Sequence, residues 1–204
     1  MTTYFTLLYS NLSLSKYSRT FLHKTLLTIV GSLLLIISAK IKIPIEPVAV
    51  TLQVFVVLAL GFCYGSRLAS ISVLFYLIQG ASGLPVFTNT PEMGLGVAYM
   101  LKGSGGYLAG FLFSAFVVGW LYEQLESPKF LHILATSFAG ITAIYTPGLV
   151  WLSIVYGLNS TTLLFGFWPF IYTDILKMFL ITFIVFAFQQ LNQQKSINMF
   201  NKNL

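Results

Sequence analysis

Asp174 and Lys177 are the two residues with most to explain, because both fall inside a stretch otherwise fit to cross a bilayer. The segment Trp168-Pro169-Phe170-Ile171-Tyr172-Thr173-Asp174-Ile175-Leu176-Lys177 leads into an almost wholly apolar run from Leu180 to Phe188. Pro169 suits the first turn of a helix, where its missing N–H is not needed. Three residues apart, the acid and the base share one helix face and can neutralise each other or grip a ligand together. A charge near the centre of a spanning helix costs on the order of 2.5–3.5 kcal/mol, so two of them call for a return in binding or packing. Other polar groups are scattered along the chain: Thr51, Gln53, Asn89 and Lys102 as donors and acceptors, with Tyr107 and Tyr145 as rings that carry a hydroxyl. A cation, a carboxylate, amides and rings together suit a small molecule with an anionic tail and a flat, hydrogen-bonding head. The sequence offers no histidine beside a serine and no paired carboxylates at helical spacing, which disfavours an enzyme and leaves the catalytic residues at none. It also has no phosphate-binding Walker loop. His23 and His132 stand apart from other ligating residues and Cys63 is the lone cysteine, so no metal site is expected.

The elements that would position these groups follow from composition. Of 204 residues, 57% are hydrophobic and 8% charged, and the mean hydropathy is +0.86, too little polar surface for a soluble domain of this size. The fold class is therefore all-α integral membrane, a bundle of six spans in the lipid bilayer. The net charge of +6 does not indicate nucleic acid, because the basic residues are dispersed and flank apolar runs.

The first span is read as Thr25 to Ala39, uncleaved, after a polar segment 1–24. Lys40-Ile-Lys-Ile-Pro-Ile-Glu46-Pro47 is a short extended connection. Val48 to Tyr64 and Leu68 to Gly80 form spans two and three, antiparallel about the tight turn Gly65-Ser66-Arg67. Both are short for about 30 Å of hydrocarbon, which calls for cover at one end. The long interruption from Ala81 to Gly103 holds Pro85, Pro91 and several glycines, yet also Leu84, Val86, Phe87, Leu95, Val97 and Tyr99. It is expected to be a structured loop forming a lid or pocket wall. Span four opens at Ser104-Gly105-Gly106-Tyr107 and ends near Tyr122, with Gly106 and Gly110 spaced for close helix approach. Span five runs from about Phe130 to Trp151 or a little beyond, with a small-residue stripe at Ala135, Ala139 and Ala143 and a break or bend at Pro147-Gly148. Span six ends near Gln189, and 190–204 is a solvated tail. The membrane-embedded unit is thus 25–189.

An even number of spans puts both termini on one side. That side carries Lys16, Arg19, Lys24, Arg67, Lys129, Lys195 and Lys202, against Lys40, Lys42 and Lys102 opposite, so both termini are expected in the cytoplasm. The long loop, the Pro147 region and the Asp174–Lys177 pair then converge on an outward-facing cavity.

Five segments carry a resemblance. Pro47-Val48-Ala49-Val50-Thr51-Leu52-Gln53, Gly83-Leu84-Pro85-Val86-Phe87, Gly103-Ser104-Gly105-Gly106-Tyr107-Leu108, Tyr145-x-x-Gly148-x-x-Trp151-Leu152 and Pro169-Phe170-x-x-x-Asp174-x-x-Lys177 resemble, in order, the signature segments of the BioY biotin transporters. These are substrate-binding S components of energy-coupling factor (ECF) transporters. The resemblance implies a vitamin-binding protein of the cell membrane that takes biotin from the outer side, with biotin as cargo and no cofactor. It implies Asp174, Lys177, Asn89, Tyr145 and Gln53 as binding positions. Asp174 and Asn89 are assigned to the ureido ring, Lys177 or Lys102 to the carboxylate, and Phe87, Tyr107 and Trp151 to the apolar middle. The partners it implies are a transmembrane T component and two ATPase subunits. Two departures stand out: Lys102-Gly103-Ser104 replaces a common Gly-Pro-Thr, and the first span lacks the Ala-x-x-x-Ala associated with docking. Solitary operation, an S component for another vitamin and a non-transporting scaffold are the alternatives.

Overall fold

The computed structural model describes residues 16–43 and 48–202. Pro44 to Pro47, and with them part of the connection expected after span one, lie outside the described residues, as do residues 1–15. The elements in order are α1 (Lys16–Lys40), β1 (Lys42–Ile43), β2 (Val50–Thr51), α2 (Gln53–Ala81), α3 (Gly96–Met100), α4 (Gly105–Glu123), α5 (Phe130–Tyr156), α6 (Ser160–Gly166) and α7 (Trp168–Lys202). Five of these helices are long and apolar enough to cross a membrane.

One of the five accounts for two crossings. Within α2, Gly65 has φ 74 and ψ 173, outside helical space. The Gln53 amide donates to the Tyr76 hydroxyl at 2.8 Å, although 23 residues of straight helix would separate them by roughly 35 Å. The chain therefore doubles back at Gly65, and arms 53–64 and 66–81 are the antiparallel second and third spans. A side chain at Gly65 would be strained at that φ, and its Cβ would collide with the Glu123 carboxylate. The same carboxylate accepts hydrogen bonds from the Ser66 N–H at 2.8 Å and the Ser66 hydroxyl at 2.9 Å, tying the turn to the end of α4. At about 1.5 Å per residue the arms reach only some 18 and 24 Å, short of the hydrocarbon core. The β1–β2 pair and the loop after α2 lie at their far end.

The core is the seam between the α2 arms, α4 and α5, where Val57, Leu58, Ala69, Val73, Ala115 and Val118 are buried. Glycines let backbones touch there. A Cβ at Gly110 would lie 2.7 Å from the Ile144 carbonyl, one at Gly106 would overlap the Pro147 carbonyl, and one at Gly119 would overlap the Ser66 nitrogen. On α5 the buried face is Ile133, Thr136, Ser137, Gly140, Ile144 and Gly148. The expected alanine stripe is thereby corrected: Ala135 is exposed and Ala139 and Ala143 are half-buried, because α4 meets Gly140 and Ile144, one position further round the helix. Phe113, Phe116, Phe138, Phe179 and Phe183 point outward, as lipid-facing side chains do.

The helices extend beyond the apolar runs. Pro147 does not break span five, since α5 runs through it to Tyr156, a little beyond Trp151. α1 begins at Lys16, ahead of the apolar run, and α7 continues past Gln189 to Lys202. Polar composition marks where a helix leaves the membrane, not where its hydrogen-bond ladder stops.

The loop between α2 and α4 is structured, as its apolar content requires. Val86, Phe87 and Tyr99 are buried, whereas Leu84, Leu95 and Val97 are exposed. Phe87 stacks on Tyr99 with ring centroids 5.1 Å apart and meets Tyr76 edge-on at 5.4 Å. Gly80 leaves the space that the Phe87 ring fills.

Candidate functional site

Asp174 and Lys177 lie one turn apart near the start of α7 and form an ion pair at 2.6 Å. Asp174 is 2% exposed. Its second oxygen accepts the Tyr145 hydroxyl of α5 at 2.8 Å, and the Lys177 ammonium also donates to the Thr51 carbonyl of β2 at 2.7 Å. Three elements distant in sequence are thus joined through one carboxylate and one ammonium. Buried charges persist when paired and hydrogen-bonded in this way.

The pair is not sealed. It lines a partly enclosed hollow that opens to the surface. Thr51, Gln53, Asn89, Lys102, Tyr107 and Tyr145 line the same hollow, so eight of the ten residues singled out in the sequence meet there. Asn89 reaches it from the loop in a left-handed conformation, φ 56, which asparagine tolerates better than most residues. Its amide oxygen accepts from Lys42. Lys102 is exposed at the mouth, where its ammonium donates to the Met93 carbonyl at 2.7 Å. Tyr107 stacks on Phe170 at 5.9 Å and donates to the Gly166 carbonyl at 2.6 Å, fixing α4 against the end of α6 and the start of α7.

Two expected residues stand outside the lining. Phe87 is wholly buried in the stack beneath the loop, and Trp151 donates its indole N–H to the Lys102 carbonyl at 2.8 Å. Both shape the wall from behind. Gln53 lines the hollow but is already engaged: besides donating to Tyr76, it accepts from Thr88 at 3.3 Å and from Thr51 at 3.4 Å. Its main work is to pin the loop to the helix hairpin.

Thr88, Tyr99, Tyr156 and Phe170 also line the hollow and were not singled out in the sequence. Phe170 and Thr88 adjoin noted residues, and Tyr99 carried the signal of an aromatic in a turn-rich loop. Burial pushes the Tyr99 phenol pKa upward, so its hydroxyl stays a neutral donor at physiological pH. Tyr156 gave no signal, because only the unbroken course of α5 carries it to the mouth. Among the described residues no cluster of histidine, cysteine and carboxylate could hold a metal.

A multi-pass helical membrane protein with a largely apolar hollow at one end, into which a few charged and polar groups are set, is the class that fold and site define. The chain belongs to the BioY family, whose model matches residues 10–194. It is 36% identical to the biotin transporter BioY of Thermotoga maritima over 79% of this chain and 93% of that protein. It is 30% identical to a probable biotin transporter BioY of Rickettsia prowazekii over 87% of this chain and 90% of that one. Its fold is similar to that of a crystal structure of the S-component for biotin from an ECF-type ABC transporter, with a TM-score of 0.74 and 25% identity, covering 87% of this chain and 95% of the other.

Proposed function

We propose that this protein binds biotin at the outer face of the cell membrane and mediates its uptake as the S component of an ECF transporter. The observation that carries the reading is the Asp174–Lys177–Tyr145 cluster lining a hollow that Asn89 also lines. Biotin has a flat ureido head with two N–H donors and one carbonyl, an apolar middle and a carboxylate tail. Asp174 accepts from the ureido N–H groups, and Asn89 offers its amide to the same head. Tyr107, Phe170 and Phe111 flank the middle. Lys177 is already shared between Asp174 and the Thr51 carbonyl, whereas Lys102 is held only by the Met93 carbonyl at the mouth. This favours Lys102 for the carboxylate, with the head innermost.

Residues 25–189 form the substrate-binding unit, and both termini lie in the cytoplasm, in keeping with the distribution of lysine and arginine. A T component and two ATPase subunits supply the energy for release inside. No cofactor takes part.

Equilibrium binding of labelled biotin to the purified protein tests the reading. Saturable binding, displaced by unlabelled biotin and not by other vitamins, is expected; its absence, or preference for another vitamin, would overturn it.

A further inference from the structure

The last turn of α1 and the strand that follows hold both walls of the hollow at once. Toward the loop, the Lys40 ammonium donates to the Phe87 carbonyl at 2.8 Å, to the Thr90 carbonyl at 3.3 Å and to the Thr90 hydroxyl at 3.2 Å. The Thr88 hydroxyl donates to the Ala39 carbonyl at 3.1 Å, satisfying one of the orphan acceptors at the end of α1. Lys42 donates to the Asn89 side chain. Every residue from Phe87 to Thr90 is therefore gripped by the stretch Ala39 to Lys42. Toward the other wall, β1 pairs with β2 through Lys42 opposite Thr51 and Ile43 opposite Val50. The Leu52 N–H adds a bond to the Ile41 carbonyl at 3.1 Å. The Thr51 carbonyl at the end of that pair is the acceptor that holds Lys177.

We infer that the junction Lys40–Ile43 is a bracket that sets the separation between Asn89 and the Asp174–Lys177 pair, with Lys40 as its principal positioning residue. Lys40 need not touch ligand to matter. Asn89 sits on a loop whose turns are closed by its own bonds, among them the Thr90 hydroxyl to the Phe87 carbonyl at 2.6 Å, and whose place is set by Gln53, by the Phe87 stack and by the end of α1. Without the Lys40 ammonium, the Phe87 and Thr90 carbonyls and the Thr90 hydroxyl lose the donor that ties them to α1, and the Asn89 segment keeps the Thr88 and Lys42 contacts to that helix end and strand. The ligand site would then spend more time open, which appears as faster dissociation. Through α1, any force that displaces the first span would be felt at the loop and at Lys177 together.

The inference rests on the binding reading for its ligand but not for its structural test. The experiment compares wild type, Lys40→Met and Lys40→Arg in lipid nanodiscs without ligand, by hydrogen exchange at Met93 and Gly94. Those amides close the loop's turns onto the Asn89 and Pro91 carbonyls, both at 2.8 Å. Lys40→Met is expected to exchange there at least about tenfold faster with the α4 amides unchanged, and Lys40→Arg, which keeps charge and donors, to stay within about threefold of wild type. In parallel, release of labelled biotin should be about tenfold faster from Lys40→Met and largely restored in Lys40→Arg. Unchanged exchange in Lys40→Met overturns the bracket. If wild type binds no biotin, the functional reading fails while the exchange measurement still decides the bracket. Should Lys40→Met lose protection globally, Lys42→Met decides it by the same loop amides.

Discussion

At the scale of single residues, the chemistry is concentrated in one carboxylate with two partners. Asp174→Asn keeps an acceptor for Tyr145 but leaves the buried Lys177 ammonium with only the Thr51 carbonyl. A hydrogen bond to a charged group contributes about 1.5–3 kcal/mol, so this variant is expected to bind biotin roughly ten- to a hundredfold more weakly. Uptake into cells should fall in step; unchanged uptake would argue for a polar staple between helices. The assignment of the tail is separable. Lys102→Met should weaken biotin by about tenfold and leave the binding of its uncharged methyl ester unaltered, since only the acid has a charge for Lys102 to meet. Equal losses for acid and ester would move the carboxylate elsewhere. These residues were legible in the sequence because an ionisable group in an apolar run is costly and stands out. What could not be read was which were already spoken for: Gln53 accepts from Thr88 and Thr51 and donates to Tyr76, all contacts set by the fold.

At the scale of elements, the bundle depends on glycines that let α4 touch its neighbours. Gly110→Leu would drive side-chain atoms into the Ile144 backbone, since even the Cβ would lie within 2.7 Å of its carbonyl oxygen. Overpacking of that kind costs about 1–3 kcal/mol or more, and a lowered thermal midpoint in detergent is the expected readout. Ala135→Leu, on the exposed face of α5, should leave stability unchanged within about 0.5 kcal/mol and the midpoint with it. If the two variants behaved alike, the corrected α5 face would be wrong. The spacing of Gly106 and Gly110 was readable because small residues four apart let two backbones approach closely in lipid. The α5 face was misread because alanines at intervals of four look the same whether they meet a helix or lipid.

At the scale of the whole molecule, the hollow and the exposed side of the loop share one end, and the Gly65 turn and the Glu123 contact occupy the other. Reporter fusions at both termini are expected to read cytoplasmic, and a tag inserted at exposed Leu84 should be reached from outside intact cells. Uptake of biotin should rise strongly when a T component and ATPases are produced alongside; equal uptake without them would favour solitary operation.

The sequence by itself determined the class, the number of crossings, the positions of the turns and most of the polar groups that line the hollow. Each of these rests on a local property: hydropathy over a window, a glycine or proline at a reversal, a charge where lipid forbids one. Only the tertiary structure decided that Phe87 and Trp151 stand behind the wall, that Tyr156 reaches the mouth, and that the end of α1 grips both the loop and the strand beside Lys177. Those outcomes depend on which helix faces meet, and a face is chosen by shape across the seam, through contacts between residues tens of positions apart that no window along the chain contains.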